Sequence, residues 1–203
     1  MNLTLPQTII FMGRSGSGKG TQADLIQSYM KEKGCESFLD LETGSLFRKF
    51  VEGDSLTAKF AKDIYIEGGK NYDFLAVYLV VDFFKNKYSG DQSVFVDGNP
   101  RSKLEAVLFT ELLGFYKRFD EAAFAKPAIV YVDVGRDWAM DKLKKRGRAD
   151  DVSVENMERK MAWFDNETSE AIEYLKHDSR YNFVHVNGEQ SIEDVHKEIM
   201  GKL

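Results

Sequence analysis

Short apolar runs alternate along the chain with longer segments of helical periodicity. The apolar runs that predict strands are Thr8–Met12, Ser37–Leu41, Ser93–Val96, Ala128–Val134 and Tyr181–Val186. Amphipathic or polar segments of helical length separate them. Because parallel strands need crossover connections that place helices on the sheet faces, this alternation predicts a three-layer α/β/α fold with a five-stranded parallel sheet.

The helical segments add detail to this picture. The clearest helix is predicted over Val154–Leu175, where apolar residues recur every three or four positions after a possible N-cap at Ser153. The second and third strands are separated by about fifty residues, more than one crossover needs. Two predicted helices there, residues 44–50 and Leu56–Ile66, indicate a small insertion. Residues 74–84 are apolar throughout, and their length favours a helix over a strand.

Composition and charge narrow the class of protein. The chain has 203 residues, 43% hydrophobic and 30% charged, which suits one domain with a sizeable core. The formal charge of −5 argues against non-specific nucleic-acid binding, which needs a positive field. No apolar run reaches the roughly 18 residues of a membrane-spanning helix. We therefore expect neither nucleic acid nor membrane as a partner.

The cysteine content and the first residues of the chain indicate the cellular compartment of the protein. The single Cys35 leaves no internal disulfide framework and no cysteine-rich zinc site. The first residues, MNLTLPQTIIFMG, lack the basic region and cleavage site of a secretory signal. We therefore expect a cytoplasmic protein.

A glycine-rich segment directly after the first predicted strand has the features of a phosphate-binding loop. It reads Gly-Arg-Ser-Gly-Ser-Gly-Lys-Gly-Thr over residues 13–21 and leads into a helical run, with Gly20 inserted before the usual hydroxyl residue. Glycines let backbone N–H groups turn toward phosphate oxygens, and the helix directs its positive end at the same anion. Lys19 adds a point charge. A glycine-rich turn that binds nothing is the structural alternative.

Four segments of the chain stand out together: GRSGSGKGTQ at 13–22, LETGSLFR at 41–48, VDGNPR at 96–101 and KRGRADD at 145–151. In content and in order they resemble the adenylate kinase family of nucleoside monophosphate kinases. The resemblance covers essentially the whole chain. It implies one P-loop kinase domain over residues 1–203, a nucleoside-monophosphate-binding helical insertion over 43–72 and a short lid over 146–152.

The resemblance also implies roles for individual residues. ATP would be bound by Gly13, Ser15, Gly16, Ser17, Gly18, Lys19, Gly20, Thr21 and Arg146. The monophosphate would be bound by Thr43, Gly44, Arg48, Gly98, Arg101, Glu105, Arg148 and Arg159. The catalytic residues would be Lys19, Arg101, Arg146, Arg148 and Arg159. These roles fit the chemistry, because transfer between two polyanions depends on fixed cations, and an arginine binds phosphate oxygens with two N–H groups at once.

Asp97 is the candidate metal-binding residue. It ends an apolar strand at the carboxyl edge, where open α/β sheets bind ligands. A carboxylate there can hold Mg²⁺ through its water shell, while a turn-forming Asp-Gly pair is the structural alternative. Family members have a cis bond before the following proline, so we predict a cis Asn99–Pro100 bond.

Several positions depart from the family pattern. Ser15, Ser45, Asn99 and Lys142 replace its usual Pro, Asp, aromatic residue and Arg, and Glu105 replaces the glutamine that reads the base of AMP. An ionised Glu105 only accepts hydrogen bonds, which suits guanine or cytosine better than the ring nitrogen of adenine. By contrast, Thr43 matches the adenylate kinase type and not the alanine common in UMP/CMP kinases.

These features predict a monomeric, Mg²⁺-dependent adenylate kinase that converts ATP and AMP into two ADP. A kinase for UMP, CMP or GMP is the alternative that Glu105 raises. A nucleotide-binding regulator without catalysis is the rival from another functional class, raised by the number of departures.

Overall fold

The central sheet of the computed structural model, which describes residues 5–67, 69–147 and 153–203, is parallel throughout. Its strands are β1 (Thr8–Met12), β2 (Phe38–Glu42), β3 (Ser93–Asp97), β4 (Ala128–Asp133) and β5 (Asn182–Asn187), in spatial order β2-β3-β1-β4-β5. Each strand lies within one residue of the apolar run that predicts it. The chain leaves β1 toward one side of the sheet and later returns to its other side, which opens a crevice at the carboxyl ends of the strands.

Helices cover both faces of this sheet. They are α1 (Lys19–Glu32), α2 (Thr43–Phe50), α3 (Leu56–Ile66), α4 (Asp73–Lys87), α5 (Lys103–Phe115), α6 (Arg136–Arg146), α7 (Val154–Trp163), α8 (Ser169–Lys176) and α9 (Ile192–Lys202). Apolar side chains of α1 and α9 pack on one face, and those of α4, α5 and α8 pack on the other. This arrangement confirms the predicted three-layer P-loop fold, and the ambiguous segment 74–84 is helical.

The predicted insertion shares a small apolar cluster with α4. Val51, Ala61, Leu75 and Leu79 are buried together, with Phe47 packed against them. Helices α2 and α3 therefore pack on the start of α4, and Leu46 of α2 also packs against the core of the sheet. The insertion bounds 43–72 remain a prediction.

The segment predicted as one helix over Val154–Leu175 is interrupted. A π-helical segment, Phe164–Thr168, separates α7 from α8. The apolar stripe continues through it, since Met161, Phe164 and Ala171 are all buried. Hydrophobic periodicity detects such a stripe but not the extra residue that a π turn inserts. Phe164 and Thr168 of this π-helical segment line the crevice described below.

Within residues 5–67, 69–147 and 153–203, no helix is both long enough and apolar enough to cross a bilayer.

Candidate functional site

A cleft of about 430 Å³ opens at the carboxyl ends of β1, β2 and β3. Its wall includes residues from all four of the segments singled out in the sequence: Gly13, Ser15, Lys19, Thr43, Gly44, Arg48, Asp97, Gly98, Arg101, Glu105 and Arg146. Segments up to about 130 positions apart thus meet in one cavity. The rest of the predicted loop, through Thr21, forms the turn and the first residues of α1 beside it.

Backbone conformation builds the glycine-rich loop. Gly13, Gly16 and Gly18 adopt φ values of 140°, 89° and 91°, a region that side-chain-bearing residues rarely occupy. A Cβ atom on Gly13 would lie 2.4 Å from the carbonyl oxygen of Val132 on β4. Helix α1 begins at Lys19, directly after the loop. The loop therefore has the closed turn and helix N-terminus that bind phosphate.

Lys19 folds back over this loop. Its Nζ donates to the carbonyl oxygens of Gly13 and Arg14, at 3.0 and 2.9 Å. The ammonium group is therefore held at the rim of the phosphate-binding turn, where it lines the cleft. An incoming phosphate meets a cation that is already in position.

Arg14, inside the loop, was not singled out from the sequence. Its Nε donates to the carbonyl oxygen of Val134 at 3.2 Å, and its guanidinium lies 4.3 Å from the centre of the Phe164 ring. It also forms an ion pair with Asp165 of the π-helical segment. Arg14 thereby joins the loop to the segment that follows α7. Because it occupies a position that the loop motif leaves open, the sequence gives no signal for this role.

Two arginines contribute to the opposite wall of the cleft. Arg48 Nη2 lies 3.3 Å from Glu42 Oε1, and a Cβ atom on Gly44 would lie 3.1 Å from Arg48 Nη1. Arg101 Nε donates to the carbonyl oxygen of Gly98 at 2.7 Å. Both guanidinium groups pass close to a glycine, so the glycines leave the arginines room to reach an anion in the cleft.

Thr43 and Asn99 carry buried polar atoms beside these arginines. Within the described part of the chain, Thr43 Oγ1 and Asn99 Oδ1 are buried without a hydrogen-bond partner. Such atoms are costly unless a ligand or water completes them. They mark this opposite wall of the cleft as a place where a polar molecule fits.

Glu105 is buried at the base of the same wall. Its Oε2 accepts from Asn99 Nδ2 at 3.0 Å and from the backbone N–H of Arg101 at 2.8 Å. Burial raises the pKa of this carboxyl, although the hydrogen bond and positive charge of Arg101 oppose the rise. The Asn99–Pro100 bond is cis, as predicted. Two departures from the family pattern, Asn99 and Glu105, are thus in direct contact.

A polar network links the end of the insertion to the start of α5 and to the π-helical segment. Lys70 Nζ contacts both Asp73, at 2.9 Å, and Glu167, and Ser102 Oγ donates to Asp73 at 2.6 Å. Burial opposes the charge on Lys70, but the two carboxylates outweigh it and raise its pKa. Burial likewise opposes ionisation of Asp73, but Ser102 and Lys70 hold its pKa below the usual value. Sequence patterns gave no sign of this network, because its members come from separate elements.

Asp97 lies where β3 meets the cleft. Its Oδ2 is 3.5 Å from the position of a Cβ atom on Gly20, at the start of α1. Among the described residues no group of three or more His, Cys, Asp or Glu side chains could hold a metal. A metal held here would take most of its ligands from water and phosphate oxygens. That coordination is the one Mg²⁺ favours, so Asp97 fits the predicted role.

The lid side of the cleft is only partly described. Arg146, at the end of α6, lines the cavity. Arg148 lies within residues 148–152 of the predicted lid, outside the described residues. Arg159 is not brought to the cavity wall: its Nη2 contacts Glu155 at 2.6 Å, and its Nη1 donates to the carbonyl oxygen of Glu67 at 2.9 Å. The catalytic roles of these arginines remain predictions.

Comparisons with known proteins agree on the family to which this chain belongs. Residues 12–158, well over half of the chain, match the family described as AAA domain. An adenylate kinase of Prochlorococcus marinus strain MIT 9515 is 30% identical over 89% of this chain and 91% of its own length. An adenylate kinase of strain MIT 9301 is 28% identical over 96% and 97%, and one of Corynebacterium diphtheriae is 26% identical over 96% and 98%. Together with the P-loop fold and the converging cleft, these relatives show that the chain belongs to the adenylate kinase family of phosphotransferases.

Proposed function

We propose that this protein transfers the γ-phosphoryl group of ATP to AMP, reversibly and with Mg²⁺, to give two molecules of ADP. The observation that carries the proposal is the convergence of the donor loop and the acceptor segments on one cleft. Lys19, Arg48, Arg101 and Arg146 all line it. Two polyanions brought together in such a space need this kind of fixed positive charge.

Different residues bind the two nucleotides. The N–H groups of the glycine-rich loop and Lys19 bind the phosphates of ATP, and Arg48 and Arg101 hold the phosphate of the acceptor. A side-chain base is unnecessary, because the attacking oxygen belongs to a phosphate that is already ionised. Asp97 would hold Mg²⁺ through its waters, and the bound ion would offset the charge of the ATP phosphates.

Glu105 supports a second candidate acceptor, GMP. Among the described residues, Asn99 Nδ2 and the backbone N–H of Arg101 both donate to Oε2 of Glu105, so Oε1 is the atom that can meet a base. An ionised carboxylate accepts from the N–H groups of guanine, whereas a protonated one can also donate to the ring nitrogen of adenine. Thr43 lines the same cleft and matches the adenylate kinase type, which keeps AMP as the first candidate.

A coupled assay for ADP formation tests the proposal. ATP and Mg²⁺ are combined with AMP, GMP, CMP or UMP in turn, and kcat/KM is compared. We expect the highest value with AMP, and a higher value with GMP would put the second candidate first. Binding of ATP without turnover of any monophosphate would instead support a regulator. The variant Lys19→Met should lower kcat by orders of magnitude, which shows that the activity arises at this cleft.

A further inference from the structure

The helix that follows the lid brings a different cation to the cleft from the one predicted. Asn156, Lys160 and Trp163 of α7 line the cavity, together with Phe164 and Thr168 of the π-helical segment. Positions 156, 160 and 163 are four and three residues apart, which places them on one side of a helix. Arg159 is rotated from Lys160 by about 100° along the helix. Its guanidinium is engaged by Glu155 and by the carbonyl oxygen of Glu67.

The row of residues that includes Lys160 runs between the two nucleotide-binding regions. One turn beyond Lys160, the Phe164 ring packs against the guanidinium of Arg14 in the glycine-rich loop. One turn further, Thr168 Oγ1 donates to the carbonyl oxygen of Arg101 at 3.0 Å. The same helix side thus touches the donor loop and the acceptor segment. Lys160 lines the cleft together with Arg146 at the end of α6.

We propose that Lys160 is a further catalytic residue, whose ammonium group contacts the phosphoryl group in transit between donor and acceptor. The proposal rests on the proposed function. In the transfer, an oxygen of the acceptor phosphate forms a new bond to the γ-phosphorus while the bond to the β–γ bridging oxygen breaks. That oxygen leaves with the electron pair as part of ADP. Lys160 keeps its protons and offsets the negative charge on the equatorial oxygens.

The positive charge of Lys160 should affect the reaction differently from the charges of the residues that bind each nucleotide. Lys19 and Arg101 each belong to a segment that binds one nucleotide. Lys160 belongs to neither segment, so its interaction with the phosphoryl group grows as the group leaves the donor. Interactions stronger in the transition state than in the ground state raise kcat rather than lower KM. Loss of Lys160 should therefore reduce kcat more than it changes either KM.

The variants Lys160→Gln and Lys160→Arg test the proposal, with Lys176→Gln as the matched control. Lys176 lies on α8, outside the cleft, in an exposed pair with Glu173. Steady-state kcat and both KM values are measured with ATP and the best acceptor, and thermal melts confirm folding. We expect Lys160→Gln to lower kcat by about a hundredfold, similar to the loss of one preorganised transition-state donor. Lys160→Arg should stay within about tenfold of wild type, and Lys176→Gln within about twofold.

A second measurement separates failure of this proposal from failure of the proposed function. The probe is two adenosines joined by five phosphates, which spans both nucleotide sites, and its affinity is measured by calorimetry. We expect Lys160→Gln to weaken its binding at least tenfold, a result that would support the contact without any turnover. If wild type transfers phosphoryl groups while Lys160→Gln matches it in kcat and in probe affinity, Lys160 is not a catalytic residue. If wild type transfers none, the proposed function fails and the catalytic role of Lys160 fails with it, and weaker probe binding by Lys160→Gln would then show only a contact with bound phosphates.

Discussion

The donor loop and the acceptor wall of the same cleft are built in different ways. The donor loop is a backbone structure: three glycines at positive φ, a helix N-terminus and a lysine held by loop carbonyls. The acceptor wall is the opposite wall of the cleft and depends on side chains: Glu105 accepts from the Asn99 side chain and from the backbone N–H of Arg101, and Asp73 accepts from the Ser102 hydroxyl.

This difference determines which amino-acid substitutions each region tolerates. A backbone structure depends on single glycines, none of which can be exchanged without strain. A side-chain structure can change in matched pairs, because one replacement compensates another. Asn99 and Glu105 are such a pair, since both depart from the family pattern and the two contact each other. The donor loop therefore keeps its motif, while the acceptor wall keeps its position but alters its chemistry.

The largest effect should follow from Gly13→Ala in the donor loop. The new Cβ atom would lie 2.4 Å from the Val132 carbonyl oxygen, on a residue with φ of 140°. The backbone of β4 does not move aside easily, so the loop must rearrange. We expect a loss of stability of about 3 kcal/mol or more and a fall in kcat/KM of at least about a thousandfold. Chemical denaturation and the ADP assay measure the two.

Gly114→Ala is the matched control for that variant. Gly114 lies in α5 at a normal helical φ, with no atom within 4 Å of an added Cβ. The substitution should stabilise the protein by about 0.5–1 kcal/mol and leave activity unchanged, since alanine favours helices. If Gly13→Ala behaves like Gly114→Ala, the donor loop tolerates side chains and the contrast between the two regions is wrong.

A smaller effect, on selectivity, should follow from Glu105→Gln in the acceptor wall. The glutamine carbonyl can take over the hydrogen bonds from Asn99 and Arg101, which leaves its NH₂ group at the position of Oε1. That group donates to the ring nitrogen of adenine but repels the N–H groups of guanine. We expect the ratio of kcat/KM for AMP to that for GMP to rise by about tenfold or more. Glu111→Gln, on the exposed side of the same helix, should leave the ratio unchanged.

The variant Glu105→Gln should also change how the free energy of unfolding depends on pH. Because burial raises the pKa of Glu105 in the folded state, the folded protein holds this proton more tightly than the unfolded chain does. Its contribution to stability is complete below the ordinary glutamate pKa and is lost as the pH rises through the folded-state value. The free energy of unfolding of wild type, relative to Glu105→Gln, should therefore fall with rising pH in that window. A constant difference would mean that Glu105 titrates as an ordinary glutamate.

Sequence patterns predict the parts of this protein that depend on local rules. Strand positions follow from apolar runs, and the donor loop follows from glycines next to a strand and a helix. Contacts that join distant elements are different, since nothing near Lys70 in the chain indicates Glu167 as its partner. The motif likewise names Arg159, but only the packing of α7 shows that Lys160 faces the cleft. Orientation around a helix is decided by tertiary contacts, and the π-helical segment changes it further.

The smallest effect should follow from Glu167→Gln, which weakens the link between the insertion and the π-helical segment. Lys70 keeps its contact with Asp73, and both partners of the lost ion pair are partly exposed. Such pairs contribute about 1 kcal/mol or less. We therefore expect KM for the monophosphate to rise by no more than about fivefold at unchanged kcat, and the rise to shrink in high salt as screening weakens the wild-type pair. Glu173→Gln, which breaks an exposed pair on α8, should change neither constant. A large loss of kcat in Glu167→Gln would mean that the acceptor wall depends on single residues as strictly as the donor loop does.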